Sequence, residues 1–174
     1  MKEITIRTNN SAEGLKKIEK LWEKVLHGNM SLFSTGEMIP MARYSNYYFN
    51  KDVSFDLSIL IVDYDFMQKL EQGCLKGKFK KYDFCFDKSF DIAKSIQSTW
   101  EQVLEDTQEG VIRRSFVEDY GCTIPADYSR DHKLHCLLYI AIEKNIKHYK
   151  TVYEIFKKGC IGKRSFWNEN SGIL

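Results

Sequence analysis

Most of the features that would reveal a function are missing from this chain. Its 174 residues hold 26 basic against 24 acidic side chains, a net charge of +2. That balance lacks the one-signed excess with which a protein neutralises nucleic-acid phosphates, so no direct nucleic-acid contact is expected. No apolar run approaches the roughly 20 residues that a helix needs to cross a bilayer, and no membrane partner is expected either. The first residues, MKEITIRTNN, contain no apolar stretch followed by a small-residue cleavage site, which leads to the expectation of a cytoplasmic protein. Five cysteines, at 74, 85, 122, 136 and 160, make an odd number without C-x-x-C spacing and suit reduced thiols. Of these, Cys85 and Cys136 fall in apolar strand-like segments and read as small buried hydrophobes. Cys122 precedes a proline-containing loop, with no histidine placed by the sequence to activate it. There is no Gly-rich phosphate loop, G-x-S-x-G or H-E-x-x-H. His132 and His135 are three apart in a strand-like segment and so face opposite ways, while His27 and His148 have no ligand-spaced partners. Neither a metal nor a cofactor is expected.

What the chain does have is aromatics and a repeat. Phe, Tyr and Trp make up 14% of it, as 11, 10 and 3 residues. That fits either an aromatic-rich core or an aromatic-lined pocket. Residues 16–26 (KKIEKLWEKVL) and 94–104 (KSIQSTWEQVL) match at six of eleven positions with a constant offset of 78, including Trp22 with Trp100. A repeat of this kind predicts two copies of one unit, related by a pseudo-twofold axis with a cleft between them.

Periodicity fills in each unit. Residues 3–7 alternate as a strand, and Asn10 or Ser11 can cap a helix carrying Leu15, Ile18, Leu21, Trp22, Val25 and Leu26. A loop over 29–40 leads to strands at 41–49 and 54–64. Strand–helix–strand–strand then recurs: 78–87, a helix with Ile92, Ile96, Trp100, Val103 and Leu104 capped by Asp87 or Ser89, then strands at 111–121 and 132–144. The expected class is α+β, an antiparallel sheet with its helices packed on one side. Halves over about 1–64 and 78–144 would be joined by a linker at 65–77, forming one domain over 1–144. A C-terminal extension over 145–174 is expected to begin as a helix. The basic run Lys76–Lys81 reads as a solvated loop or strand start, with a phosphate patch as the other reading.

Glu118 is the residue with most chemistry in it. In a strand over 111–120 it would share a face with Ile112, Arg114, Phe116 and Tyr120. A carboxylate among rings is costly to bury unless it is paired. An organic cation could supply the pairing, with the rings adding cation–π attraction. The alternative is an internal pair with Arg113, Arg114 or a lysine. Tyr139, in the last strand, needs a partner for its hydroxyl either in a cleft or in the core. Trp22 and Trp100 can pack their helices on the sheet or wall a cleft. Tyr44 and Tyr48 would share one face and Tyr47 the other.

In the order and spacing of Ile18-x-x-Leu21-Trp22, Ala42-Arg43-Tyr44-Ser45, Lys78–Tyr82, Val117-Glu118-Asp119-Tyr120 and Leu137–Ile142, the chain resembles a GyrI-like (gyrase-inhibitor-like) effector-binding domain. Such modules are also fused to multidrug-responsive AraC- and MerR-type regulators. The likeness covers roughly residues 1–144 and implies tandem units around an aromatic cleft, here as a stand-alone module linked to transcription regulation or xenobiotic response. It implies that Glu118 meets a ligand's positive charge and that Tyr139 lines the cleft, with Tyr120, Phe116, Trp100, Trp22, Tyr44 and Tyr48 as further wall candidates. The expected partner is a bulky aromatic or cationic small molecule. Two further readings stand beside this: a hydrolase of cyclopropane-type electrophiles using Glu118, and a protein-interaction module, with a protein partner or homodimer contacting the tail. Departures from the family pattern are Ala141 where a proline is usual, the linker, and the tail.

Overall fold

The computed structural model describes residues 3–26, 38–49 and 53–143. Strand β1 (Glu3–Asn9), helix α1 (Ala12–Leu26), strands β2 (Met38–Phe49) and β3 (Val53–Asp63) and helix α2 (Tyr64–Leu75) come first. Strand β4 (Phe79–Phe86), helix α3 (Ile92–Gln108), and strands β5 (Glu118–Ile124) and β6 (Leu134–Ala141) follow. The expected extension over 145–174 and most of the expected 29–40 loop lie outside the described residues, although Met38–Pro40 already belong to β2.

Local chemistry sets the helix ends. At the start of α1 the Ser11 hydroxyl accepts from the Gly14 amide at 3.1 Å. Asp91, rather than Asp87 or Ser89, caps α3 by accepting from the Lys94 amide at 2.8 Å. The segment expected to be a mere linker is helix α2, capped by Asp63 accepting from the Phe66 amide at 2.9 Å. It ends in a Schellman turn, in which Gly77 N–H donates to Cys74 O (2.9 Å) and Lys78 N–H to Gly73 O (2.8 Å). Gly77 sits at φ 66°, a conformation that a side chain would strain.

All six strands join one antiparallel sheet, in the order β1-β3-β2-β5-β6-β4. From each outer edge the strands therefore run first, third, second within β1–β3 and within β4–β6, and β2 meets β5 at the centre. Helices α1 and α3 cover one face. Ile18, Leu21 and Val25 pack on Ala42, Phe55, Leu57 and Ile59. Trp100 and Val103 pack on Tyr82, Leu138 and Ile140. Helix α2 lies on the other face, where Leu70, Phe66, Met67 and Cys74 meet Met41, Leu60, Val62, Tyr120, Leu137 and Tyr139. The expectation of helices on one side is thus corrected: the segment between β3 and β4 folds back over the second face because its own apolar stripe must be buried.

Two left-handed residues break the expected alternation of side chains. Asn46 (φ 50°) sits at a bulge in the β2–β3 register, so Tyr44 and Tyr47 both turn to the face of α1 and α3, while Tyr48 is 60% exposed. Phe116 (φ 55°) lies in the irregular segment before β5, where regular pairing starts only at Glu118. Ile112, Arg114 and Phe116 consequently lie on the α1/α3 face, opposite Glu118 and Tyr120.

Candidate ligand-binding groove

Glu118 and Tyr120 point to the α2 face of the sheet and line a groove of about 460 Å³. The facing wall is α2, which contributes Phe66, Gln68, Lys69, Leu70, Gln72 and Gly73, and Lys76, Lys78 and Phe79 complete the lining. Gly73 has a defined part in this wall. A Cβ there would lie 2.6 Å from Cδ2 of Phe79, so glycine lets the last turn of α2 rest on that ring. Phe66 and Phe79 both meet the Tyr120 ring edge-on, with centroids at 5.6 and 6.1 Å.

The Glu118 side chain is half-buried. Among the described residues no lysine or arginine forms an ion pair with it. Its neighbour Tyr120 has its phenol pushed well above the usual value, by burial and by the Glu118 carboxylate beside it. Arg43 stands opposite Tyr120 across the β2–β5 ladder, but its guanidinium is bonded to Glu3.

Of the other candidate residues, Tyr139 is on this face but does not reach the groove. It is fully buried under α2, and its hydroxyl donates to Glu71 Oε1 at 2.7 Å. Lys81 donates to the same oxygen at 2.7 Å. Partial burial opposes ionisation of Glu71, yet Lys81 and Tyr139 together hold its carboxyl below the usual range. Burial and that carboxylate push the Tyr139 phenol far up.

The remaining aromatics do form a cage, on the opposite face, and the protein fills it. The Arg114 guanidinium lies 4.4 Å from the Phe116 ring centre and 5.6 Å from those of Tyr47 and Trp100. Asp119 pairs with it there, with side chains 4% and 0% exposed. The Asp119 carboxylate also accepts from the Tyr47 hydroxyl (2.7 Å) and the Ala141 amide (2.8 Å). Burial opposes the charge on Arg114, but Asp119 and Tyr47 outweigh it and raise its pKa. Tyr44 packs edge-on against Trp100 at 5.2 Å, its phenol pushed up to about 12 by burial. Trp22 lies partly buried against the α1 cluster. The expected wall residues Phe116, Trp100, Tyr44 and Trp22 therefore lie on the α1/α3 face, opposite Glu118, with Trp100 buried and the other three half-buried.

Cys122 is buried, and burial pushes its thiol up to about 12. Cys85, expected inside, is exposed. Sequence reasoning missed the α2 residues of the groove. Their signal was Asp63 as a cap three residues before Phe66, followed by Met67, Leu70 and Cys74 at helical spacing. No protein-family model matches the chain, and no curated protein matches it.

Proposed function

We propose that this chain is a small-molecule-binding protein that takes a flat, apolar organic cation into the groove between α2 and the sheet. One observation carries the reading: a half-buried Glu118 with no ion-pair partner among the described residues, set beside the rings of Tyr120, Phe66 and Phe79. A carboxylate next to apolar walls favours a cation that brings its own apolar surface over a small, strongly hydrated ion. Burial at about 25 cal/mol per Å² would supply most of the affinity, and the charge would supply the preference for cations. Lys69, Lys76 and Lys78 on the same groove suit a ligand whose positive centre is separated from a polar or anionic substituent. Binding is favoured over hydrolysis because, among the described residues, the groove's lining brings no histidine, cysteine or second carboxylate to Glu118.

The reading includes a duplicated scaffold of the GyrI-like kind serving as an effector-binding module. Its support is the 78-residue offset, the placing of Trp22 and Trp100 on helices of one face, and the matching strand order of the two halves. The test is a fluorescence-anisotropy titration of the full chain with rhodamine 6G and with a neutral aromatic of similar size. Glu118→Gln is expected to weaken the dye about five-fold, the effect of losing about 1 kcal/mol from a partly exposed ion pair, and to leave the neutral compound within two-fold. Equal dye affinity in mutant and wild type would reject the reading.

A further inference from the structure

At the far edge of the sheet, away from the groove, three side chains with metal-binding atoms converge. Cys85 on the edge strand β4 pairs directly with His135 on β6. Asp83, two residues earlier on β4, projects from the same face. Cys85 Sγ lies 3.3 Å from His135 Nδ1, His135 Nδ1 lies 3.4 Å from Asp83 Oδ1, and Cys85 Sγ lies 3.9 Å from the same oxygen. On the other side of the ring, His135 Nε2 lies 2.9 Å from Asp131 Oδ1.

A protonated imidazole can serve Asp131 and Asp83 together, whereas a neutral one cannot. In the neutral ring, a proton on Nε2 donated to Asp131 leaves Nδ1 with a bare lone pair. That lone pair, the Asp83 oxygen and the Cys85 sulfur then share a single thiol hydrogen. A divalent ion satisfies all three at once. With metal–ligand lengths of about 2.3 Å to sulfur and about 2.0–2.1 Å to nitrogen and oxygen, tetrahedral geometry requires separations of about 3.6 Å (S to N), 3.3 Å (N to O) and 3.5 Å (S to O). The three observed distances each fall within about 0.4 Å of these, on two adjacent, hydrogen-bonded strands.

We propose that Asp83 Oδ1, Cys85 Sγ and His135 Nδ1 bind one zinc ion, with water in the fourth position. Asp131 orients the imidazole from behind and fixes its tautomer, as carboxylates do for zinc-bound histidines. Binding replaces the Cys85 thiol hydrogen, which leaves as a proton to solvent. Thiolate and carboxylate together then balance the ion's charge. Sulfur and imidazole donors select zinc over magnesium or calcium. Lys81 Nζ, 3.7 Å away, contacts the other Asp83 oxygen, Oδ2, and leaves Oδ1 to the metal. Cys85 and Asp83 are exposed and His135 is half-buried, so the ion has a path in.

The probe is Co²⁺, titrated into the full chain reduced with a phosphine. The expected result is a thiolate-to-cobalt charge-transfer band in the near ultraviolet with strong visible bands of tetrahedral coordination, all bleached by one equivalent of Zn²⁺. Cys85→Ser should abolish the charge-transfer band, and His135→Ala should abolish tight binding. Asp131→Asn should weaken binding about 10–100-fold, whereas Cys74→Ser should change nothing. In the wild-type chain, Zn²⁺ should also protect Cys85 from alkylation, read by peptide mass spectrometry, which needs no variant to fold. A titration without a charge-transfer band, a band surviving Cys85→Ser, or Cys85 alkylated at the same rate with and without zinc would each overturn the proposal.

Discussion

Glu118 and Asp119 are the same functional group in adjacent positions, and the sheet sends them to opposite faces with opposite fates. Asp119 is fully buried and saturated: Arg114, Tyr47 and the Ala141 amide occupy it, and three rings enclose its partner's guanidinium. Glu118 is half-buried and faces a groove with rings nearby and no ion pair among the described residues. Both sites join a carboxylate to aromatic faces. One is closed by a cation from the chain itself and therefore holds the fold together. The other has no such cation among the described residues and, in the function proposed above, takes one from solution. Aromatic residues near an acid are thus not by themselves a receptor, since the internal cation must first be found or excluded.

The contrast is tested most strongly by removing each acid in turn. Asp119→Ala strands a buried guanidinium and an amide, and should destabilise the protein by about 3–5 kcal/mol in urea unfolding. Glu118→Ala should stay within about 0.5 kcal/mol of wild type. Similar losses in the two variants would show that the faces are not the different environments described. Next in size, Gly73→Ala drives a Cβ toward Phe79 and should cost about 1–3 kcal/mol while weakening dye binding, because the wall of α2 shifts at the groove. Unchanged dye affinity in that variant would detach α2 from the site.

Tyr139→Phe removes the hydroxyl that Glu71 accepts and should cost about 1 kcal/mol. It should leave cation binding unchanged, since Tyr139 is sealed beneath α2. A several-fold loss of dye affinity would return Tyr139 to the groove. The smallest effect concerns pH. The folded-state pKa of Glu71 is depressed, so its contribution is present above the unfolded value of about 4.3 and fades as pH falls through the folded value. The wild-type minus Glu71→Gln stability difference should therefore shrink on acidification below about pH 4.3. A difference that is flat with pH would mean that the carboxylate is not held by Lys81 and Tyr139.

The two helices of the α1/α3 face were legible because amphipathic spacing and a rare matched Trp mark them directly. The strands were legible as elements, but their phases were not. Asn46 and Phe116 adopt left-handed φ and each flips everything beyond it, and nothing about a phenylalanine signals that conformation. That single break moved Phe116 and Arg114 away from Glu118 and delivered Arg114 to Asp119. Helix α2 shows its cap, Asp63, and its apolar stripe in the sequence, but the 78-residue offset makes the segment read as a connection. The pairing of Cys85 with His135 is fifty residues apart in the chain and depends on the β4–β6 register, which no local pattern sets.

The most direct test of the contrast is a ¹H–¹⁵N and aromatic ¹H–¹³C NMR titration of the full chain with rhodamine 6G, a flat aromatic cation. Shifts are expected at Phe66, Gly73, Lys78, Phe79, Glu118 and Tyr120, with Tyr47, Trp100 and Phe116 unmoved around their own arginine. Shifts confined to the Tyr47, Trp100 and Phe116 cage, with the α2 groove silent, would contradict the account.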